Sequence, residues 1–338
     1  MQIYITVDTE CTEERLTPWG IRPPLGYDIM MWGRFANQRD GLGLDFITQE
    51  LGRFGFPATF FVEALCAEHF GVSGLTAVCD TLRRRHHDVQ LHLHPNFRRP
   101  EWRASGAVPL PDNIGEYGLD EQVGLLADGL QLLERCGMKR DAITSYRAGN
   151  YGASNLTWSA MKAVGLWVDS SLNLCYLNQD CLIRPDVPRI DIYEPIPGVF
   201  ELPISCFTEP GGAYRHLEIT AVSSLEMTYT LDQMERAGIA CGTIVLHPAE
   251  FFTIDNHEVP RGHPNVINAR RFSRLLEFLD RERHRFQVAT VGDLAVALRS
   301  GTFVVPSASG PIPDGSLLRK ALRLPVQAIK RLATRPRG

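Results

Sequence analysis

Short apolar runs recur along the chain, and most of them end in a polar or turn-forming residue. Ile3-Tyr4-Ile5-Thr6-Val7 leads into Asp8-Thr9-Glu10. Ala58-Thr59-Phe60-Phe61-Val62 comes next, then Val89-Gln90-Leu91-His92-Leu93-His94, which Pro95 stops. Thr144-Ser145-Tyr146-Arg147 runs into a Gly-rich turn at 148–152. Leu166-Trp167-Val168-Asp169, Phe200-Glu201-Leu202-Pro203, Thr243-Ile244-Val245-Leu246-His247 and residues 286–290 complete the set. Apolar runs of this length, bounded by turn residues, predict buried strands. Between them, apolar residues at helical spacing predict helices over 44–54, 76–85, 119–136, 155–164, 224–237 and 269–284. Strand alternating with helix predicts the α/β class with a mostly parallel sheet, open or closed as a barrel. Residues 17–43, with Trp19, Tyr27 and Trp32, read as a long ordered loop, and 96–118 are also loop-rich.

Composition adds domain limits. The 338 residues are 44% hydrophobic and 22% charged, as in an ordinary globular protein with a large core. Residues 1–300 read as one catalytic domain. Residues 301–314 read as a linker rich in Pro, Ser and Gly, and 315–338 as a basic amphipathic tail. The tail holds seven basic residues and no acidic one, which leaves 28 basic against 39 acidic residues elsewhere. It predicts either a peripheral anchor on an anionic membrane or a helix packed on the barrel or on a partner. A net charge of −4 argues against nucleic acid as a partner. A strand beginning at residue 2 and the lack of an 18-residue apolar run predict a cytoplasmic protein, peripheral to the membrane if the tail anchors it. The eight cysteines form no C-x-x-C pair and read as reduced, buried thiols.

Parallel α/β folds place their sites at the carboxyl ends of strands, where this chain concentrates its titratable groups. Asp8 and Glu10, two residues apart on an extended chain, share a face, so one could bind a metal while the other handles protons. His92 and His94 repeat that arrangement on a strand whose other face is apolar. Two imidazoles so placed could grip one divalent ion such as Zn2+, together with one of those carboxylates. Each feature also has a plain structural explanation. Asp8 and Glu10 could turn into solvent, His247 could be a bonded core histidine, Asp169 could cap a helix, and Arg147 could form an ordinary ion pair.

Taken in order, Thr6-Val7-Asp8-Thr9-Glu10, Ala58-Thr59-Phe60-Phe61-Val62, residues 87–95, Tyr146-Arg147-Ala148-Gly149-Asn150-Tyr151-Gly152, Val168-Asp169-Ser170-Ser171 and Val245-Leu246-His247-Pro248 resemble the polysaccharide deacetylases with NodB homology, carbohydrate esterase family 4. The resemblance spans residues 1–298 and implies a distorted (β/α)7-type barrel and metal-dependent amide or ester hydrolysis. By position it implies Asp8 as catalytic base, Glu10 and His92 as metal ligands, and Arg147 as holder of the base. It implies Asp169 as the group that orients the acid histidine His247, and Tyr151 as a backbone donor to the oxyanion. Three departures are visible. Thr9 and Glu10 follow Asp8 where the family has adjacent aspartates, so Glu10 or Asp8 is the metal carboxylate. Asn96 stands where the family has its second histidine, so His94 or Asn96 is the second ligand, and imidazole is the better zinc ligand. An extra residue stands between Arg147 and Tyr151-Gly152, so the oxyanion donor is Tyr151 or a residue one position from it.

The resemblance implies removal of an N-acetyl or similar small acyl group from an amino sugar, in glycan or lipopolysaccharide biosynthesis. The substrate is read as nucleotide-linked, lipid-linked or an oligosaccharide, with Trp19 and Trp32 as candidate sugar-stacking rings beside Tyr151. The alternatives are hydrolysis of another amide (a formyl or cyclic ureide substrate, or an amidohydrolase-type reaction) and a non-catalytic glycan-binding relative.

Overall fold

The computed structural model describes residues 1–18, 20–255 and 259–323. Among these, the strands in chain order are β1 Gln2–Thr9, β2 Arg15–Thr17, β3 Gly20–Arg22, β4 Thr59–Glu63, β5 Asp88–Leu93, β6 Ser145–Ala148, β7 Val168–Asp169 and β8 Tyr193–Ile196. They continue with β9 Val199–Glu201, β10 Cys206–Thr208, β11 Tyr214–His216, β12 Cys241–Leu246, β13 Phe252–Ile254, β14 Gly262–Pro264 and β15 Gln287–Ala289. The main sheet runs β12-β1-β4-β5-β6-β7-β9-β8, with β15 paired to the start of β1. Its pairings are parallel except β8 with β9.

The sheet curls until its two ends are bridged by residues 202–217. Leu202 N–H donates to Asp169 O at 2.8 Å and Ile204 N–H to Leu172 O at 2.9 Å, extending the line of β9. Ser205 N–H then reaches Thr243 O on β12 at 3.2 Å, and Val245 N–H returns to Leu217 O at 3.0 Å. The result is a distorted barrel. Its central strands β4 and β5 are almost wholly buried, as parallel strands covered on both faces must be.

Helices cover the outside with one apolar face each. Leu44–Phe54 buries Leu44, Ile47 and Leu51, and Leu119–Arg135 buries Leu126, Leu130 and Leu133. Gly129 lets the second helix sit close on β5, since a Cβ there would lie 2.6 Å from Leu93 Cδ2. The predicted helices all form, with ends moved by a few residues. The helix Val291–Ser300 was not anticipated, although Thr290 and Asp293 form a capping box at its start. The loop read at 17–43 holds β3 and the short helix Tyr27–Met30.

All eight cysteines are unpaired, and seven are buried. Among the described residues no helix is long and apolar enough to cross a membrane. The described start of the basic tail packs on the barrel. Residues 317–323 are helical, and Arg323, 1% exposed, pairs with Glu209 and Glu226. Lys330, Arg331, Arg335 and Arg337 lie outside the described residues.

Candidate functional site

Because β12, β1, β4, β5 and β6 lie side by side and parallel, their carboxyl ends open at one end of the sheet. There a cavity of about 170 Å³ is lined by Asp8, Glu10, His92, His94, Asn150, Tyr151, Tyr176, Asp180, Glu218 and His247. Residues separated by up to 239 positions in sequence thus line one space.

Glu10, His92 and His94 form the tightest cluster. His92 Nε2 lies 3.2 Å and His94 Nε2 2.8 Å from the same oxygen, Glu10 Oε2. The far ring nitrogens decide what this means. His92 Nδ1 is 2.8 Å from the carbonyl of Arg147, which can only accept, so Nδ1 carries the proton. His94 Nδ1 is 3.0 Å from both oxygens of Asp112 and donates likewise. In the neutral rings both Nε2 lone pairs therefore point at a carboxylate oxygen. Such a set of facing acceptors calls for a cation between them, and it has the N,N,O donor set of a zinc site. A carbonyl and a carboxylate behind the imidazoles are the usual outer partners of ligating histidines. The donor set therefore fits a divalent metal.

Where no cation sits between them, a proton on His94 fills the same gap. Burial alone would raise the Glu10 carboxyl, but His94 and His92 hold it well below the usual range. Burial alone would depress His94, but Asp112 and Glu10 hold it well above. Asn96 does not line the cavity, and its Oδ1 is buried without a hydrogen-bond partner. Of the two candidates for second ligand, His94 is the one that shares Glu10 with His92. The turn after β6 leaves it room, since a Cβ on Gly149 would lie 2.5 Å from the His94 ring.

Asp8 and Arg147 form a second, fully internal unit. Arg147 is 0% and Asp8 3% exposed, and Nη1 donates to Oδ1 at 2.6 Å. The other guanidinium nitrogens are also engaged. Nε donates to Ser170 O at 2.9 Å and Nη2 to Ser170 Oγ at 2.8 Å, while Nη1 also reaches Thr6 Oγ1 at 2.8 Å. The second oxygen of Asp8 faces His247 Nε2 at 3.8 Å.

His247 follows β12, and its Nδ1 is 3.2 Å from Glu250 Oε1. Burial lowers the His247 pKa, but the hydrogen bond and charge of Glu250, with Asp8 and Glu10, raise it to about 10. Here the structure corrects the expectation for Asp169. That residue is 0% exposed and does not reach His247. It accepts from Ser171 Oγ at 2.5 Å and from Trp158 Nε1 at 3.1 Å, and Trp158 also donates to Glu201 at 3.1 Å. Paired across β7 and β9, Asp169 and Glu201 form a buried carboxyl pair. Burial raises Asp169 to about 6, and burial with Asp169 beside it raises Glu201 well above its usual value.

Tyr151 lines the cavity, and both it and Asn150 have left-handed backbone, φ 59° and 54°. A bulky residue in that region is strained, and such strain gathers at functional sites. Asn150 Nδ2 ties the turn to Asp112 at 2.7 Å, so one carboxylate holds both His94 and the turn. Tyr151 stacks on Tyr176 with ring centroids 5.4 Å apart. Trp32 is not in the cavity. It is 4% exposed, packed in the core under the Arg34 guanidinium at 4.2 Å, because its large apolar ring gains more from burial than from a place in a polar wall. Trp19 lies outside the described residues.

Sequence reasoning missed Asp112, Tyr176, Asp180, Glu218 and Glu250. Glu250 had a signal. Pro248 starts a single 3-10 turn that carries it back beside His247, three residues away. Asp112 and Glu218 sit in irregular segments with no periodicity to mark them.

No family model and no curated protein matches the chain. Among solved structures it is similar to a putative polysaccharide deacetylase from Mycobacterium smegmatis, at 17% identity over 80% of this chain and 81% of that one, with a TM-score of 0.48. It is also similar to the peptidoglycan deacetylase PdaC from Bacillus subtilis, at 11% identity over 89% and 93% of the two chains, with a TM-score of 0.38. A third is BA3943 from Bacillus anthracis, described as a CE4 family pseudoenzyme, at 10% identity over 87% and 65%, with a TM-score of 0.41. The likeness to these structures is one of fold.

Proposed function

We propose that this chain is a metal-dependent hydrolase that removes an N-acetyl or similar small acyl group from an amino sugar. The observation that carries the reading is the convergence of His92 Nε2 and His94 Nε2 on Glu10, in the cavity that Asp8 and His247 also line. Glu10, His92 and His94 would hold one divalent ion, with Zn2+ best suited to the donor set. Bound there, the ion acidifies water and polarises a carbonyl.

The remaining chemistry belongs to the side chains. Asp8 accepts the proton of the attacking water, and Arg147 keeps its carboxylate fixed. His247, protonated at neutral pH, gives the proton that an amide nitrogen needs in order to leave. Asp8 Oδ2 and His247 Nε2 lie 3.8 Å apart on the wall of one cavity, so both can reach the same reacting group. The Tyr151 backbone N–H is the candidate second donor to the oxyanion. The small cavity favours a short acyl chain over a fatty one. The acetyl group and the amino sugar rest on the ordered motif resemblance. A nucleotide-linked, a lipid-linked and an oligosaccharide form of the substrate remain the three to compare.

The test is acetate release by the metal-loaded protein from those three forms, with and without a chelator. The expected result is release from at least one form, abolished by chelation and restored by Zn2+. Asp8→Asn should keep the metal and lose about 10²–10⁴-fold in turnover. No release from any form, or turnover indifferent to chelation, overturns the reading.

A further inference from the structure

Asp169, the strand residue from which His247 was expected to take its orientation, is spent on Trp158 and Ser171. The neighbour of His247 Nδ1 is instead Glu250, and that residue sits on a rigid mount. Its N–H donates to His247 O at 3.1 Å. Its carbonyl accepts the side-chain amides of Asn265 at 3.0 Å and Asn268 at 2.7 Å, from the start of the helix Val266–Arg281.

Behind Glu250 stands a second carboxyl, Glu218, itself held by a fixed chain of donors. Asn173 Oδ1 accepts the Cys175 N–H at 3.1 Å, so its Nδ2 must face His216 Nδ1, at 2.9 Å. That places the His216 proton on Nε2, which lies 3.3 Å from Glu218 Oε2. Glu218 Oε1 takes the Thr220 hydroxyl. Both Glu218 oxygens are therefore satisfied by donors. Glu250 Oε2 is buried without a hydrogen-bond partner, on a side chain 9% exposed.

From this geometry we infer that Glu250, backed by Glu218, is the positioning residue for His247. It holds Nδ1–H inward, so that Nε2 faces Asp8 and the cavity. The inference deepens the proposed function and rests on it for the acid role of His247. The charged and titratable groups that face His247 are Glu250 on its own turn, Asp8 and Glu10 on β1, His216 and Glu218 at the end of β11, and Asp180 across the cavity. Glu218, His247 and Glu250 also offer ligand atoms within 4.8 Å of one another, so a second metal ion is the competing occupant.

The experiment uses the full chain loaded with Zn2+ and labelled at histidine, with the His247 imidazole titrated by NMR and zinc counted per chain. In Glu250→Gln the His247 midpoint should fall by about one pH unit or more. Turnover should fall about 10- to 100-fold with KM unchanged, as for loss of a supporting carboxylate. Glu250→Asp should recover part of both, zinc should stay at one per chain, and Asp169→Asn should leave the midpoint where it was. An unmoved midpoint in Glu250→Gln, or a second zinc in the wild type that this variant loses, overturns the inference. Absence of acyl release by the wild type would instead sink the hydrolase reading, and the titration would still report on Glu250.

Discussion

Arg147 Nη1 lies 2.6 Å from Asp8 Oδ1, and neither residue has more than a trace of solvent contact. Removing one side of such a buried pair leaves an uncompensated charge, at a cost of about 3–5 kcal/mol. Arg147→Met should therefore lower unfolding stability by about that amount, measured by urea titration. Asp8→Asn combined with Arg147→Met should restore much of the loss. Arg147→Lys should not, because Nε, Nη1 and Nη2 point to different partners and one ammonium cannot reach them all. An Arg147→Met protein as stable as the wild type would show that the pair adds nothing net to the fold.

Gly149 and His94 yield a second prediction, on metal affinity. A Cβ at 149 would lie 2.5 Å from His94 Cε1 and Nδ1, so the ring must rotate away from Asp112, Glu10 or both. Gly149→Ala should weaken zinc binding by about 10- to 100-fold, the range for disturbed outer partners of a ligand. His94→Ala should lose the metal at stoichiometric zinc, and Asn96→Ala should keep it. Equal zinc content in His94→Ala and wild type would reverse the choice between His94 and Asn96.

Much of this site was legible because strand ends carry signals. Asp8, Glu10, His92, His94, Arg147 and His247 each end an apolar run, and parallel pairing then puts those ends together. The same alternation predicted the α/β class. What strand ends could not reveal is which polar group leans on which. Asp169 also ends a strand, yet it turns into the wall between β7 and β9, because Trp158 and Glu201 meet it there. Glu250 reaches His247 through one tight turn, and Asp112 reaches His94 from a loop whose course no local pattern encodes. Trp32 was read as a sugar platform from its residue type, and burial claimed it instead.

The buried carboxyl pair makes a prediction about pH. Asp169 is raised from its usual value of 3.8 to about 6, first by burial. A carboxyl whose folded pKa lies above its unfolded pKa adds stability below the unfolded value and loses it as pH rises through the folded one. The wild type should thus lose this contribution between about pH 4 and pH 6. Asp169→Asn carries no such charge and should be the more stable protein at pH 8, with the difference vanishing below pH 4. Denaturation midpoints at the two pH values check it. A less stable Asp169→Asn at pH 8 would mean that the ionised carboxylate is needed where it stands.

The last prediction separates the two readings of the basic tail. Arg323 is 1% exposed, pairs with Glu209, and lies 3.5 Å from Glu226. Burial would raise Glu209, but hydrogen bonds from Arg215, Arg323 and Lys320 hold it down at about 2. A depressed carboxyl stabilises the fold above its unfolded pKa, and the contribution fades as pH falls through the folded one. Arg323→Ala should therefore lower the melting temperature at neutral pH in the absence of any membrane. The expected loss is about 1–3 kcal/mol, less than for an isolated buried pair because Arg215 and Lys320 stay on Glu209. The gap from wild type should narrow toward pH 2 as Glu209 takes up its proton. If the tail were a free arm awaiting an anionic surface, Arg323→Ala would leave the melting temperature unchanged and weaken only binding to anionic vesicles.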